Sequence, residues 1–295
     1  MHKAGGDGMR NPFELTGPTC LSFSGGSTSG FMLWRTLQAN DPAAISKWLR
    51  VVFANTGREE EATLRFVRDC TKQWGVPIDW LEYRDTGLGF QVVDFHTASR
   101  DGEPFAALIA KRQYLPNPVT RFCTSELKIR TIYKRLRSIG WAEEHEQWDQ
   151  FIGIRADEPL RVAKMRARAT SSESARESLC MPLAEAGVTW QEVDAFWDRQ
   201  PFHLELARHK GRTLAGNCDL CFLKPAMQRL SLIRERPERV TWWARMEREG
   251  VLRATGAGAR FTKDGPSYSQ LASYVVDQTD LFDPEQPLIE CYCGD

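Results

Sequence analysis

The chain carries no excess of charge of either sign: 39 lysines and arginines face 39 aspartates and glutamates over 295 residues. A bulk, sequence-independent grip on nucleic acid draws on a large positive excess, so that task is excluded as the main one, while a local basic groove stays open. No apolar run reaches membrane-spanning length, so no membrane partner is expected. The stretch from Met1 to Gly17 is polar and glycine-rich and has no apolar signal core. It reads as a disordered lead-in, and the protein as cytoplasmic. Histidine is scarce: His2, His96, His145, His203 and His209 show neither metal-ligand spacing nor a triad arrangement. Each reads as a polar surface or packing residue. With no export signal, the eight cysteines are not expected to form a disulfide framework. An apolar content of 42% with 26% charged residues is that of a soluble globular protein with room for one large domain or two modest ones.

The most informative stretch is Ser24-Gly25-Gly26-Ser27-Thr28-Ser29-Gly30, directly after the apolar run Cys20-Leu21-Ser22-Phe23. It reads as a strand that ends in a glycine-rich turn and opens a helix. Such a turn aims several backbone N–H groups at one spot, and the helix start adds partial positive charge. Together with the small hydroxyls this makes a phosphate cradle. A Walker A loop is excluded, because no lysine follows the glycines.

Strands and helices alternate from there. Arg50–Ala54 reads as a buried strand ending in Asn55-Thr56-Gly57, Thr63–Trp74 as an amphipathic helix, and Ile78–Tyr83 as an alternating strand. Leu127–Ile139 reads as a basic helix and Phe151–Ile154 as a short strand. The order β-α-β-α-β predicts a Rossmann-like α/β fold, a parallel sheet with helices on both faces. In such a sheet ligands bind beyond the carboxyl ends of the strands, where Ser24, Asn55 and Arg155 all fall. Arg161, Lys164, Arg166 and Arg168, followed by a serine-rich run, read as a mobile basic loop. Thr189 and Glu192 form a capping box, and the chain from Pro225 onward reads as helical with Trp242 and Trp243 in a core. The expected division is a lead-in over 1–17, a nucleotide-binding domain over 18–225 and a helical extension over 226–295.

These ordered motifs resemble the phosphoadenosine phosphosulfate (PAPS) reductases and their relatives in the adenine-nucleotide α-hydrolase (PP-loop) group. The likeness rests on Ser24-Gly25-Gly26-x-x-Ser29, Asn55-Thr56-Gly57, Arg121-x-Cys123 with Leu127-Lys128, Gly153-Ile154-Arg155, Pro182-Leu183-Ala184 with Thr189-Trp190, and Gly216-Asn217-Cys218-x-x-Cys221. It covers residues 19–225. The chain departs from the pattern at Ser27 and Thr28, where ATP-cleaving members carry lysine and aspartate, and at Asn55, where an aspartate is usual.

Read as chemistry, Ser24, Gly25, Gly26, Ser27, Thr28 and Ser29 hold nucleotide phosphates, and Arg155 adds a permanently charged clamp. Asn55, Thr56, Gly57 and Lys128 complete the expected nucleotide site. Cys218 and Cys221 offer two thiolates to one metal, with Cys123 and Cys180 as the best remote partners. By spacing alone this quartet suits a [4Fe-4S] cluster, zinc or free thiols; the resemblance implies the cluster. The tail thiols Cys291 and Cys293 are the expected nucleophiles, since a mobile terminal cysteine can attack sulfur and be released by another thiol. The resemblance implies reduction of an adenylylated sulfate (PAPS or adenylyl sulfate), with a small-molecule nucleotide substrate and a thiol donor. Two other readings stay open: an ATP-dependent, adenylating sulfur transferase acting on a nucleic acid or small molecule with a sulfur-donor protein, and a non-catalytic nucleotide-binding accessory protein.

Overall fold

The structure is a computed structural model and describes residues 10–277 apart from 169, 171–172, 210–211 and 254–258. Cys291 and Cys293 lie outside the described residues. Six strands, β1 (Thr19–Ser22), β2 (Leu49–Asn55), β3 (Ile78–Tyr83), β4 (Phe90–Val93), β5 (Trp148–Phe151) and β6 (Glu177–Cys180), form one sheet in the order β4-β3-β2-β1-β5-β6. Neighbours run parallel except β3 and β4, which are antiparallel. The α/β architecture expected from the alternation of elements is therefore present, with an antiparallel strand added at one edge.

The strands are apolar on both faces because both are covered. Leu21, Val51 and Phe53 pack into a core with Leu64, Phe66, Val67 and Cys70 of the Glu61–Trp74 helix. Cys20, Val52 and Leu81 point the other way, into a second core with Ile132, Leu136, Trp141 and Trp148. The Glu61–Trp74 helix stops at Gly75, whose φ of 66° closes the end with an N–H bond to the Thr71 carbonyl. A third core joins the helices Ala226–Glu235, Val240–Arg253 and Tyr268–Asp277 to Tyr83, Phe105, Leu115 and Leu127, around Trp243 and Phe261. Trp242 and Trp243 are both buried there, as expected. No helix among the described residues is long and apolar enough to cross a membrane.

Several elements differ from expectation. The strand read at Phe151–Ile154 is Trp148–Phe151, and the pairing ends where the Ile152 N–H meets the Cys180 carbonyl. The basic helix starts earlier, at Phe122, and passes through a π-helical turn over Ser125–Ile129 before continuing as Arg130–Ser138. The basic stretch read as a mobile loop is the helix Pro159–Arg168, because Val162 and Met165, three apart, bury one face while the cations occupy the other. The capping box at Thr189 and Glu192 is formed, with both reciprocal bonds in place.

Gly30 has a packing role rather than a place in the turn. A Cβ there lies 2.7 Å from Trp197 Cζ2 and 2.9 Å from Phe66 Cζ. Gly30→Ala is therefore expected to lower stability by about 1–3 kcal/mol through overpacking, read as a lower urea midpoint at unchanged slope.

Candidate functional site

The order of strands reverses between β1 and β5: the chain moves outward from β1 to β4 on one side, then returns to build β5 and β6 on the other. Ligands of open α/β sheets sit at such a switch point, outside the carboxyl ends of the strands. Three segments meet there.

The first is the turn after β1. Gly25 has a φ of 76°, and a Cβ on it would stand 2.5 Å from Thr63 Cγ2, so only glycine fits. The Ser24 N–H and hydroxyl bond to Ser29 Oγ at 3.2 and 3.0 Å, and the Ser29 hydroxyl donates to the Gly26 carbonyl at 2.9 Å. These two serines thus shape the turn. Gly26 caps the Ser27–Ala39 helix without a side-chain bond to its first N–H groups. Beside those groups the buried Ser27 hydroxyl has no hydrogen-bond partner. An uncapped helix start with an unsatisfied hydroxyl matches an anion.

The second segment follows β5. Gly153 lies against Ser29, 3.5 Å from its Cα to a built Cβ. Arg155, 8% exposed, donates from Nη1 to Thr28 Oγ1 at 3.0 Å and from Nε to Asp157 Oδ1 at 2.8 Å. Loop contact and ion pair therefore coexist: Asp157 holds the guanidinium in place against the turn.

The third segment follows β2. Asn55 is fully buried, and its amide donates to Glu82 Oε1 at 2.7 Å and to the Ser99 carbonyl at 2.9 Å while its Oδ1 accepts the Gly57 N–H at 3.0 Å. Every polar atom of that side chain is spent on the turn itself. Gly57 has a φ of 78° and packs against Gly102. The Thr56 N–H and hydroxyl both bond to Glu59 Oε2, and Thr56 Oγ1 is 3.3 Å from Cys218 Sγ.

That last contact leads to the thiols. Cys218 makes an antiparallel bridge with Glu59, and the Asp219 N–H donates to the Arg58 carbonyl at 2.8 Å. The Arg58 and Asp219 side chains form an ion pair, and Trp243 Nε1 donates to Asp219 Oδ1 at 2.8 Å. A cavity at this corner is lined by Cys123, Cys218 and Cys221 together with Thr56 and Lys128, and walled by Phe105, Leu127, Phe222 and Trp243. The Phe122–Thr124 helix brings Cys123, and the π-helical turn brings Lys128. Such turns often mark functional positions.

Of the four cysteines expected to gather, Cys180 stands apart. It ends β6, three strand positions from β2, or about 14 Å at the usual strand spacing. It packs with the first core, whereas Cys123, Cys218 and Cys221 belong with the third. Burial, and then the Asp149 and Glu185 carboxylates, push its thiol up to about 12. Among the described residues no three histidine, cysteine, aspartate or glutamate side chains form a ready site for a single metal ion. What the three sulfurs share is a cavity. Arg58 and Asp219, which lock the Cys218 turn to β2, carry no motif that marks them in the sequence, and Trp243 reads there only as a core residue.

The phosphoadenosine phosphosulfate reductase domain family matches residues 18–204. The chain belongs to this family. It is 30% identical over 223 residues to an uncharacterized nin region protein of Escherichia phage lambda, covering 72% of this chain and 68% of that one. It is 24% identical over 248 residues to an uncharacterized protein of Methanocaldococcus jannaschii, covering 83% of this chain and 44% of the other, so it spans less than half of that relative's length. Among solved structures it is similar, at 14% identity and a TM-score of 0.39, to the PAPS reductase from Candida auris in a phosphate complex, covering 62% of this chain and 73% of that one. It is also similar, at 14% identity and a TM-score of 0.36, to the U34-tRNA thiolase of Methanococcus maripaludis with its [4Fe-4S] cluster, covering 94% of this chain and 86% of that one.

The Cys180 environment yields a direct test. A thiol raised to about 12 stays protonated at neutral pH, and the thiolate is the reactive form. Iodoacetamide labelling of Cys180, followed by peptide mass mapping, is expected to rise about tenfold per pH unit from pH 7 to pH 10 without levelling. A plateau near pH 8 contradicts this environment.

Proposed function

We propose that the protein binds an adenine nucleotide with its phosphates at the Ser24–Ser29 turn and performs sulfur chemistry on it beside a thiolate-held [4Fe-4S] cluster, reducing an adenylylated sulfate. The observation that carries this reading is the placement of the three-thiol cavity at the end of β2, next to the turn after β1.

Cys123, Cys218 and Cys221 would hold the cluster. Their environment fits such a group: three thiols in a cavity with mostly apolar walls suit a soft, thiophilic centre, and none of the residues lining it is a carboxylate. When bound, the cluster supplies a redox-active and Lewis-acidic metal–sulfur centre close to the nucleotide.

The remaining steps belong to this chain's own residues. The first N–H groups of the Ser27–Ala39 helix and the Ser27 hydroxyl receive the phosphate oxygens. Arg155, steadied by Asp157, supplies the positive charge that the turn itself lacks, since no lysine stands within it. The apolar walls around the thiols exclude water from the sulfur. In the reduction, a thiolate attacks the sulfate sulfur and expels the nucleotide phosphate; a second thiol then attacks the resulting S–S bond, giving sulfite and a disulfide. Two thiols thus supply the two electrons. Cys291 and Cys293 are the residues of this chain assigned to the attacking role.

One observation favours a second reading. The cavity offers three thiols, so a metal–sulfur centre held there would have room for a further sulfur ligand. In that reading the protein is an adenylating sulfur transferase, with ATP as the nucleotide.

Protein purified without oxygen tests both. Iron and sulfide are expected at cluster stoichiometry, lost in Cys123→Ser, Cys218→Ser and Cys221→Ser and kept in Cys180→Ser. Sulfite release from PAPS or adenylyl sulfate with a thiol donor marks the reductase; pyrophosphate release from ATP with an acceptor marks the transferase. Arg155→Lys is expected to weaken nucleotide binding about tenfold, as the loss of a charge-assisted bond implies, read by calorimetric titration. Iron lost only from Cys180→Ser, or no nucleotide binding at all, contradicts the proposal. Tight binding without turnover supports the accessory reading.

A further inference from the structure

Two buried cations packed around the Cys218–Cys221 turn form no close ion pair among the described residues. Lys224 is 2% exposed, and its ammonium donates to the Gly216 carbonyl at 2.6 Å and the Cys218 carbonyl at 2.7 Å. Arg229 is 3% exposed, and its Nε and Nη1 have no hydrogen-bond partner. Its guanidinium carbon lies 5.3 Å from the centre of the Tyr268 ring, and the Tyr268 hydroxyl donates to the Leu220 carbonyl, inside the turn, at 2.5 Å.

The carboxylates nearby are hydrogen-bonded elsewhere and form no close ion pair with these two. Arg58 and Asp219 neutralise each other. Glu59 is occupied by the Thr56 N–H and hydroxyl, and Glu247 accepts the N–H groups of Phe261 and Tyr268 at 3.3 and 2.7 Å. Burial pushes the Glu247 carboxyl above the usual range while the charges of Arg260 and Arg229 act to lower it, so Glu247 acts on Arg229 through space and not as an ion-pair partner. A buried cation without a close ion-pair partner is costly, and two around one short turn favour an anion bound beside it.

We propose that Lys224 and Arg229 are positioning residues that make the thiol cavity a seat for a net-negative metal–sulfur centre, with Cys123, Cys218 and Cys221 bound to it as thiolates. This rests on the cluster reading above and adds the sign of the occupant's charge and the residues that balance it. Three thiolates outweigh a doubly positive core, so the assembled centre is anionic and the two cations become its partners. Lys224 also fixes the Gly216 and Cys218 carbonyls, which preforms the turn that carries the thiol pair.

The test uses the full chain, purified without oxygen and supplied with iron and sulfide. Lys224→Met and Arg229→Met are compared with wild type, Lys224→Arg and Arg229→Lys. Two quantities are read: iron retained against a chelator, and the reduction potential of the loaded fraction by a titration followed with EPR. Reduction adds negative charge, so removing a nearby cation moves the potential downward. The Met variants are expected to show that downward shift and about tenfold weaker metal retention, the scale of a lost outer-shell partner, while the charge-keeping variants return toward wild type. The potential is read only on loaded, folded protein, so poor folding does not mimic the shift. Unchanged potential and retention in both Met variants overturns the inference and leaves the cluster reading intact. Weaker retention at the wild-type potential makes the role structural only and also overturns it. A wild type that takes up no iron overturns the cluster reading and this inference together.

Discussion

The two-residue bridge between Glu59 and Cys218 is the constraint on which the site depends. It extends the end of β2 into a short extra pairing with a segment distant in sequence. Through it the turn at Thr56, which belongs to the nucleotide fold, and the Cys218–Cys221 turn, which belongs with the C-terminal helices, share one corner. The Arg58–Asp219 pair and the Trp243 bond to Asp219 lock the register. Both ion-pair side chains are nearly buried, at 11% and 7% exposure, so their contribution is to position more than to net stability. Because β1 is the neighbour of β2, anything held at this corner stands next to the glycine-rich turn.

The turn itself is built for shape first and charge second. Ser24 and Ser29 bond to each other, and Asn55 on the adjoining strand is saturated by Glu82, Ser99 and Gly57. What remains for a ligand is the uncapped helix start, the Ser27 hydroxyl and the Arg155 guanidinium. Positive charge therefore comes from outside the turn, across the switch point from β5. Under the proposed function, that arrangement would let one residue, Arg155, set how strongly the phosphates are held.

Much of this was legible in local sequence. Apolar runs flanked by glycine marked β1 and β2, the 3.6-residue period marked the Glu61–Trp74 helix, and the capping box at Thr189 and Glu192 was read correctly from two residues. The Pro159–Arg168 helix was not, because its four cations obscured the short apolar stripe of Val162 and Met165. The role of Asn55 was hidden because its partners Glu82 and Ser99 lie 27 and 44 positions away. Likewise, Cys180 resembles its fellow cysteines in isolation, and only the sheet order places it beyond β5. Local pattern reveals elements and glycine-rich turns; which thiols meet is decided by strand order and by the bridge at Glu59.

The central claim is that nucleotide phosphate and thiol-bound metal occupy one corner of this sheet. Anomalous diffraction at the iron edge from crystals grown without oxygen, in the presence of an adenine nucleotide, measures both positions at once. The account predicts an iron peak bounded by Cys123, Cys218 and Cys221, with nucleotide phosphate at the start of the Ser27–Ala39 helix facing Arg155. An iron peak at Cys180, or phosphate bound away from the Ser24–Ser29 turn, would contradict it.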